Sequence, residues 1–142
     1  MSRDIKDKKL LRTNAFVDGI DADGGDTFDV KNPATGETIA KLPSCGSDET
    51  RRAVEAAGDA LEDWGKKSAK ERSAILRKWY DLMMSAQEDL ARIMTAEQGK
   101  PLDESRGEIA YGANYIQWFA EEAKRIYGDT IPAPDNDKRL VV

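Results

Sequence analysis

The side chains that could do chemistry in this sequence are few, and histidine is absent from all 142 residues. Histidine is the commonest general base at neutral pH and the commonest metal ligand, so its absence argues against self-contained catalysis. The one cysteine, Cys45, lies in a Pro-Ser-Cys-Gly-Ser loop and can form no internal disulfide. We interpret it as an ordinary loop cysteine, because a reactive thiol needs an electropositive surrounding.

A second candidate is an aromatic stripe at helical spacing, formed by Tyr111, Tyr115 and Trp118. It lies within residues 95–132, the longest helix-compatible run, which a Gly-Lys-Pro breaker opens and Gly128 closes. An apolar stripe at alternating steps of four and three marks another face. Its members are Ile109, Ala113, Ile116, Ala120, Ala123 and Tyr127. A helix with two occupied faces is either sandwiched in a core or presents one face to a ligand or partner, and both interpretations stay open here.

The elements before this helix are predicted to be a charged end followed by β structure. Residues 1–13 alternate acid and base, so we expect a loose segment anchored by Leu10 and Leu11. Residues 14–46 are predicted to be a β-hairpin region, in which an Asn-Pro-Ala-Thr-Gly turn leaves Gly36 free to take a positive φ. Its strand-like runs are residues 14–20, 27–30 and 37–42.

Residues 47–127 are predicted to be helical. The apolar face of the first helix would be Val54, Ala57, Leu61 and Trp64, with an end at Gly65. A capping box, Ser68-Ala-Lys-Glu71, predicts the start of the second helix. Its inward face would be Ile75, Trp79, Leu82, Met83 and Ala86. We interpret both stripes as core.

The second helix is predicted to break and restart at residues 85–88, where Ser-Ala-Gln-Glu repeats the spacing of a capping box. Gly99 then ends a helix, and Pro101 falls in the first turn of the next one. Residues 128–142 read as a proline-containing linker followed by the start of a β-strand. A strand without a following turn is an unusual terminus, so we expect one incomplete domain.

Composition excludes several classes of function. The net charge is −5, and the 22 basic and 27 acidic residues are interleaved, so neither a nucleic-acid-binding surface nor an acidic tail emerges. No window approaches the about 18 apolar residues of a membrane span. The first residues lack the pattern of a secretory signal or a transit peptide. We therefore expect a soluble cytoplasmic protein without a nucleic-acid or membrane partner.

Several motifs occur in the order and spacing of the N-terminal part of the NAD(P)-dependent aldehyde dehydrogenase superfamily. They are Asn32-Pro-Ala-Thr-Gly36, SAKERSAIL from Ser68, Glu97-Gln-Gly-Lys-Pro101 and Gly107-Glu-Ile109. The stretches MTAEQGKPLDESRGEI and FAEEAKRIYGDTIP resemble the succinate-semialdehyde dehydrogenase branch. The resemblance covers about residues 15–142.

This resemblance implies an α/β fold, the N-terminal part of the aldehyde dehydrogenase fold, with a β-hairpin and then helices that flank a Rossmann-like domain. The chain would end at the start of a β-strand that leads toward the oligomerisation arm. In such enzymes a cysteine thiolate attacks the aldehyde, an asparagine and a backbone amide hold the oxyanion, hydride passes to the nicotinamide and a glutamate activates water.

The motifs that carry this chemistry are Pro-Trp-Asn, Glu-Leu-Gly-Gly-Lys and Gly-Gln-x-Cys, and none occurs in this sequence. Asn32, Asn114 and Cys45 do not stand in those contexts, so we assign no catalytic and no cofactor-binding residue. The chain alone is predicted to be inactive.

The same resemblance implies two possible sites. The helix that matches residues 107–125 borders the substrate entrance in the family, which makes Tyr111, Tyr115 and Trp118 candidates for lining it. Packing of these rings against a neighbouring helix or subunit is the alternative.

Some relatives also hold a monovalent cation with an acidic residue at the position of Glu97 and with main-chain oxygens near Val30 and Lys31. A glutamate that merely ends a helix is the alternative.

The implied activity is the oxidation of succinate semialdehyde to succinate in 4-aminobutyrate degradation. The full-length enzyme would use NADP or NAD, whereas this chain alone would bind neither, and its partners would be a small aldehyde and other copies of itself in a dimer or tetramer. Two alternatives are a dehydrogenase of another ω-semialdehyde, such as glutarate semialdehyde, and a non-catalytic helical module whose aromatic face docks a partner.

Overall fold

The computed structural model describes residues 4–22, 24–132, 134 and 139–141. These residues form four α-helices and three two-stranded antiparallel sheets, which confirms the predicted α/β class. The strands are β1 (Ala15–Val17), β2 (Ile20–Ala22), β3 (Asp26–Lys31), β4 (Thr38–Ser44), β5 (Thr130–Pro132) and β6 (Arg139–Val141). The helices are α1 (Ser47–Lys66), α2 (Ala69–Ser85), α3 (Gln87–Gln98) and α4 (Leu102–Glu122).

The first β region is a hairpin of its own. Residues 14–20, predicted to be one run, are divided by a turn at Asp18-Gly19, where φ is +52° and +76°. Two consecutive positive φ values are typical of the tight turn that joins β-hairpin strands, and Asp-Gly is a preferred sequence for it. Ala15 therefore pairs with Ala22 across β1 and β2. The single-run prediction is wrong because it overlooked this turn.

The second hairpin, β3 with β4, has the predicted turn. The Asn32 side chain accepts a hydrogen bond from the Ala34 amide at 2.8 Å, and Gly36 takes φ +74°. The Gly36 amide donates to the Asn32 carbonyl at 2.8 Å and so closes the turn.

Residues 4–13 are held more firmly than predicted. Leu10 and Leu11 are half-buried, but Ile5 is the deeper anchor with only 2% of its surface exposed. The prediction of two leucines as the only anchors is wrong, because a single isoleucine among charged neighbours gives no periodic signal in the sequence.

Helix boundaries follow their capping residues. The Ser68 hydroxyl accepts from the Glu71 amide at 3.3 Å and the Glu71 carboxylate accepts from the Ser68 amide at 2.8 Å, which confirms the predicted capping box. The break between α2 and α3 is also confirmed, yet the Ser85 hydroxyl donates back to the Leu82 carbonyl and does not cap α3. Gly99 ends α3 with φ +83°.

The helical core lies where α2 and α3 pack on α4. Helix α4 ends at Glu122, so the prediction of an end at Gly128 is wrong. Beyond Glu122 the Lys124 and Arg125 amides bond to carbonyls three residues back. Tyr127 is 81% exposed, and helix propensity without a packed face does not sustain a helix there.

Two predicted core stripes lie mostly on the surface in this chain. Val54 and Leu61 of α1 are exposed, as are Ile75, Trp79 and Leu82 of α2. The prediction that these stripes are core is wrong for these five residues, whereas Trp64, Met83 and Ala86 of the same stripes are half-buried. Helix α1 packs on β1 of the first hairpin, and α2 packs on α4. None of the described helices is long and apolar enough to cross a lipid bilayer.

Candidate functional site

The candidate site is built on α4, whose N-terminal part is joined to α3 by an ion pair. Arg106 donates two hydrogen bonds to the Glu88 carboxylate, at 2.7 Å from Nε and 3.1 Å from Nη2. Arg92 on α3 lies 2.7 Å from the same carboxylate. The Arg106 hydrogen bonds are the main reason that the pKa of Glu88 is lowered to about 2. Pro101, predicted for the first helical turn, is the N-cap of α4 instead.

The inner face of α4 carries small buried side chains. Ser105, Ala113 and Ala120 have no exposed surface, and Ile109 is also buried. Small residues let α2 and α3 approach α4 closely, so this face is buried against the two helices. The predicted stripe is confirmed through Ala120, and the 3.6-residue period then directs the aromatic stripe away from this core.

The outer face of α4 brings the three predicted aromatic residues together. Tyr111, Tyr115 and Trp118 are 60%, 52% and 61% exposed. With Asn114 and Phe119 they line an open groove of about 420 Å³. The alternative in which a neighbouring helix of the described chain covers them is therefore not realised.

Two of these rings form a defined pair. The Tyr111 and Tyr115 rings meet edge to face, with centroids 5.0 Å apart and planes at 88°. Their hydroxyl oxygens are 2.7 Å apart and share a hydrogen bond. This bond is the main reason that the pKa of Tyr111 is raised above its ordinary value, so the phenol stays protonated at neutral pH.

Asn114 and Phe119 belong to the groove but are absent from the residues that the sequence singled out. Phe119 lies four positions after Tyr115, so continuing the helical period would have found it. Asn114 lies three positions after Tyr111 and falls on the same side of the helix. A polar residue beside an aromatic stripe gives no apolar signal, which explains why it was missed.

The lining of the groove contains no cysteine, lysine or carboxylate side chain. Its surface offers aromatic faces, two phenol hydroxyls and one amide. Such a surface suits a ligand with an apolar chain and a polar end.

Glu97 lies apart from the groove, at the last turn of α3. It is exposed and lines a cavity of about 400 Å³ with residues 10–13, Ile93 and part of β4. Val30 and Lys31, whose main-chain oxygens were predicted to share a cation with Glu97, do not line this cavity. Among the described residues no cluster of three Cys, Asp or Glu side chains is arranged to hold a metal ion. The cation site stays a prediction.

Cys45 is an exposed, free thiol in the loop between β4 and α1, as predicted. The next residue, Gly46, is the N-cap of α1, and its amide donates to the Glu49 carboxylate at 2.8 Å. That glutamate satisfies the helix terminus, so the loop has a structural role.

Comparison with known proteins extends this description. Residues 20–142 match the aldehyde dehydrogenase family. The chain is 60% identical to a glutarate-semialdehyde dehydrogenase of Pseudomonas putida over 140 residues, which are 97% of this chain and 29% of that protein. It is 54% identical to the NADP(+) succinate-semialdehyde dehydrogenase of Escherichia coli over 140 residues, again 97% of this chain and 29% of that protein.

Solved structures agree with the sequence comparison. The fold is similar to that of a succinate-semialdehyde dehydrogenase from Burkholderia pseudomallei, with a TM-score of 0.91 and 52% identity. The match covers 97% of this chain and 29% of that structure. The chain thus spans less than a third of the length of the relatives it matches.

Proposed function

Since the chain belongs to the aldehyde dehydrogenase family, whose members are oxidoreductases, we propose that it is the N-terminal portion of an NAD(P)-dependent succinate-semialdehyde dehydrogenase. The observation that carries the proposal is the identity of more than half of the residues with ω-semialdehyde dehydrogenases across 97% of the chain. The reaction would oxidise the aldehyde of succinate semialdehyde to a carboxylate, with residues outside this chain performing the chemistry.

The part of the described chain in this function is to shape the substrate entrance. Tyr111, Tyr115 and Trp118 present aromatic surface that removes water from the carbon chain of the aldehyde. The paired phenol hydroxyls offer a donor to a polar end of the substrate. These groups touch substrate without reacting, so they contribute binding and orientation.

Glutarate semialdehyde is a second candidate substrate, favoured by the higher identity of the Pseudomonas putida relative, 60% against 54%. The two semialdehydes differ by one methylene. One methylene in an apolar pocket changes specificity by about 10- to 200-fold, so the two activities are separable by measurement.

No dinucleotide site is proposed on the described residues. Their strands pair only in antiparallel twos, whereas a dinucleotide-binding fold places the pyrophosphate at a turn between a parallel strand and a helix. We therefore assign no cofactor contact to these residues and derive no step through the nicotinamide. We further propose a cytoplasmic homo-oligomer, a dimer or tetramer, in which Glu97 is the candidate cation ligand.

The test is a comparison of kcat/KM in the full-length enzyme that carries this chain. We expect succinate semialdehyde to exceed glutarate semialdehyde, and both to exceed butanal and pentanal, which lack the carboxylate. A preference for the uncharged aldehydes would overturn the proposal, and a preference for glutarate semialdehyde would select the second candidate. Under the same assay the 142-residue chain alone should reduce neither NADP nor NAD.

The assigned entrance is tested in the same enzyme by Trp118→Ala. Removing a contact made equally to substrate and transition state raises KM and leaves kcat nearly unchanged. Trp79→Ala, which truncates a tryptophan on α2 that is 54% exposed against 61% for Trp118, is the matched control and should change neither constant. Equal effects from both substitutions would contradict the role of the α4 face.

A further inference from the structure

The segment at residues 4–13, which we call the strap, is attached to α3 mainly at one carboxylate. The Lys6 amide lies 3.1 Å from each oxygen of Asp89, and the Asp7 amide donates to Oδ2 at 2.9 Å. Asp89 is in the first turn of α3 and only 7% exposed. Beside this contact the Ile5 side chain is almost fully buried. One anion and one apolar side chain thus hold the start of the strap.

Most of the remaining hydrogen bonds of the strap are local. The Asp7 side chain accepts from the Lys9 amide at 3.0 Å, and the Leu10 amide donates to the Asp7 carbonyl at 3.2 Å. At its far end the Arg12 guanidinium pairs with Asp21 and lies 5.5 Å from the Phe16 ring centroid. The strap can therefore keep its own turn and its far attachment when the Asp89 contact breaks.

Helices α3 and α4, which lie beside the strap, are joined by side-chain hydrogen bonds of their own. The Arg106 and Glu88 side chains join α4 to α3, and the Thr95 and Ser105 hydroxyls share a hydrogen bond at 2.9 Å between the same helices. Neither contact involves the strap, so its detachment leaves the joint between α3 and α4 intact.

The strap also forms walls of two cavities along α3. Asp4 lines one of about 310 Å³ with Arg92, Thr95 and Gly99, among others. Residues 10–13 line the cavity of about 400 Å³ that contains Glu97. Movement of the start of the strap away from α3 would therefore remove the Asp4 wall of the smaller cavity, while residues 10–13 stay at the larger one.

We propose that residues 4–13 are a releasable strap, latched to α3 by the Asp89 carboxylate, whose first residues swing away from α3 about the Arg12 attachment while the helices stay folded and thereby control access to the cavity that Asp4 lines. The backbone hydrogen bonds lower the pKa of Asp89 and keep the latch charged at neutral pH. Local opening below the free energy of global unfolding is the ordinary behaviour of segments with few buried contacts.

Limited proteolysis with trypsin tests the latch, because Lys8 and Lys9 in the strap are exposed cleavage sites. In Asp89→Asn the charge is lost and one acceptor oxygen becomes a donor amide. Hydrogen bonds to charged groups are strong enough that cleavage at Lys8 and Lys9 should accelerate about 10- to 100-fold. Asp81→Asn, on the exposed side of α2, is the matched control and should cleave at the wild-type rate.

Cleavage at Lys66 and Arg72, near the junction of α1 and α2, separates local from global opening. The proposal predicts no acceleration at these sites in Asp89→Asn. Equal acceleration at all sites, or none at Lys8 and Lys9, would overturn it.

Hydrogen exchange of the unsubstituted protein gives an independent reading should the variant fail to fold. The Lys6 and Asp7 amides should exchange with little dependence on denaturant, as expected for local opening, while amides within α4 exchange through a larger unfolding. Exchange of both sets through one common unfolding event would contradict a strap that opens alone. Ile5→Ala should speed exchange at Lys6 and Asp7 only.

Discussion

The two faces of α4 reverse the usual distribution of side-chain size. Its buried face carries Ala113, Ala120 and Ser105, whereas its exposed face carries Tyr111 and Trp118. Large apolar residues are ordinarily the ones inside a protein. The buried face is small because two helices must approach it, whereas the rings of the exposed face line the open groove. The residues that pack the core and the residues that line the groove are thus separated on one helix, and each set can be substituted alone.

The largest expected effect comes from a cavity on the buried face. Ile109→Ala should lower the free energy of unfolding by about 2 to 5 kcal/mol, because it removes packed methylenes between α4 and its neighbours. Denaturant unfolding measures the change. Phe119→Ala, on the exposed face, is the control and should change stability by no more than about 0.5 kcal/mol. Similar losses in the free energy of unfolding from both variants would contradict the distinction between a buried and an exposed face.

Overpacking the same face should have the next largest effect. Ala113 has no exposed surface, so Ala113→Leu forces α2 or α3 away from α4. We expect a loss of about 1 to 3 kcal/mol in the free energy of unfolding. Asn114→Leu adds a similar side chain one position along, on the groove side, and should leave stability nearly unchanged. A stable Ala113→Leu variant would show that the helices are more loosely packed than described.

The buried hydroxyl pair gives a smaller effect. Ser105→Ala leaves the Thr95 hydroxyl without its 2.9 Å partner and should cost about 1 kcal/mol in thermal or denaturant unfolding. In the double variant Ser105→Ala with Thr95→Val both hydroxyls are gone, so much of the loss should be recovered. A double variant less stable than the sum of the single ones would argue against this explanation.

The ion pair that joins α3 to α4 adds a dependence on pH. The pKa of Glu88 is lowered from 4.5 to about 2 by the Arg106 hydrogen bonds, so its contribution is complete above pH 4.5 and lost as pH falls through about 2. Wild type should therefore lose more stability than Glu88→Gln over this interval, measured by unfolding at successive pH values. Parallel curves for the two proteins would mean that the pair does not couple to folding.

The sequence predicted the elements of this chain better than their packing. Ser68, Gly36 and Gly99 marked a helix start, a turn and a helix end, because caps and positive φ values depend on adjacent residues. The stripes on α1 and α2 predicted a core that the described residues form only in part. Periodicity shows which residues share a face, but the covering of that face depends on distant parts of the chain.

The candidate site likewise has features that the sequence predicted and features that it did not. The stripe of Tyr111, Tyr115 and Trp118 followed from helical spacing and the groove confirms that they lie together, whereas their exposure required the packing of α4. The hydrogen bond between the Lys6 amide and Asp89 joins residues 83 positions apart, and no local sequence pattern predicts it. The prediction of a loose segment over residues 1–13 rested instead on the alternation of acidic and basic residues there.

The smallest effect belongs to the exposed face and leaves stability untouched. The hydrogen bond to Tyr115 is the main reason that the pKa of Tyr111 is raised, so Tyr115→Phe should move the pKa of Tyr111 back toward its ordinary value. Ultraviolet titration of the phenols measures the shift, with Tyr80→Phe on α2 as the control that leaves Tyr111 unchanged. Because both rings are exposed, unfolding should change by no more than about 0.5 kcal/mol. An unchanged Tyr111 titration would mean that the two hydroxyls do not share a hydrogen bond in solution, and the groove would then offer two independent donors to a ligand.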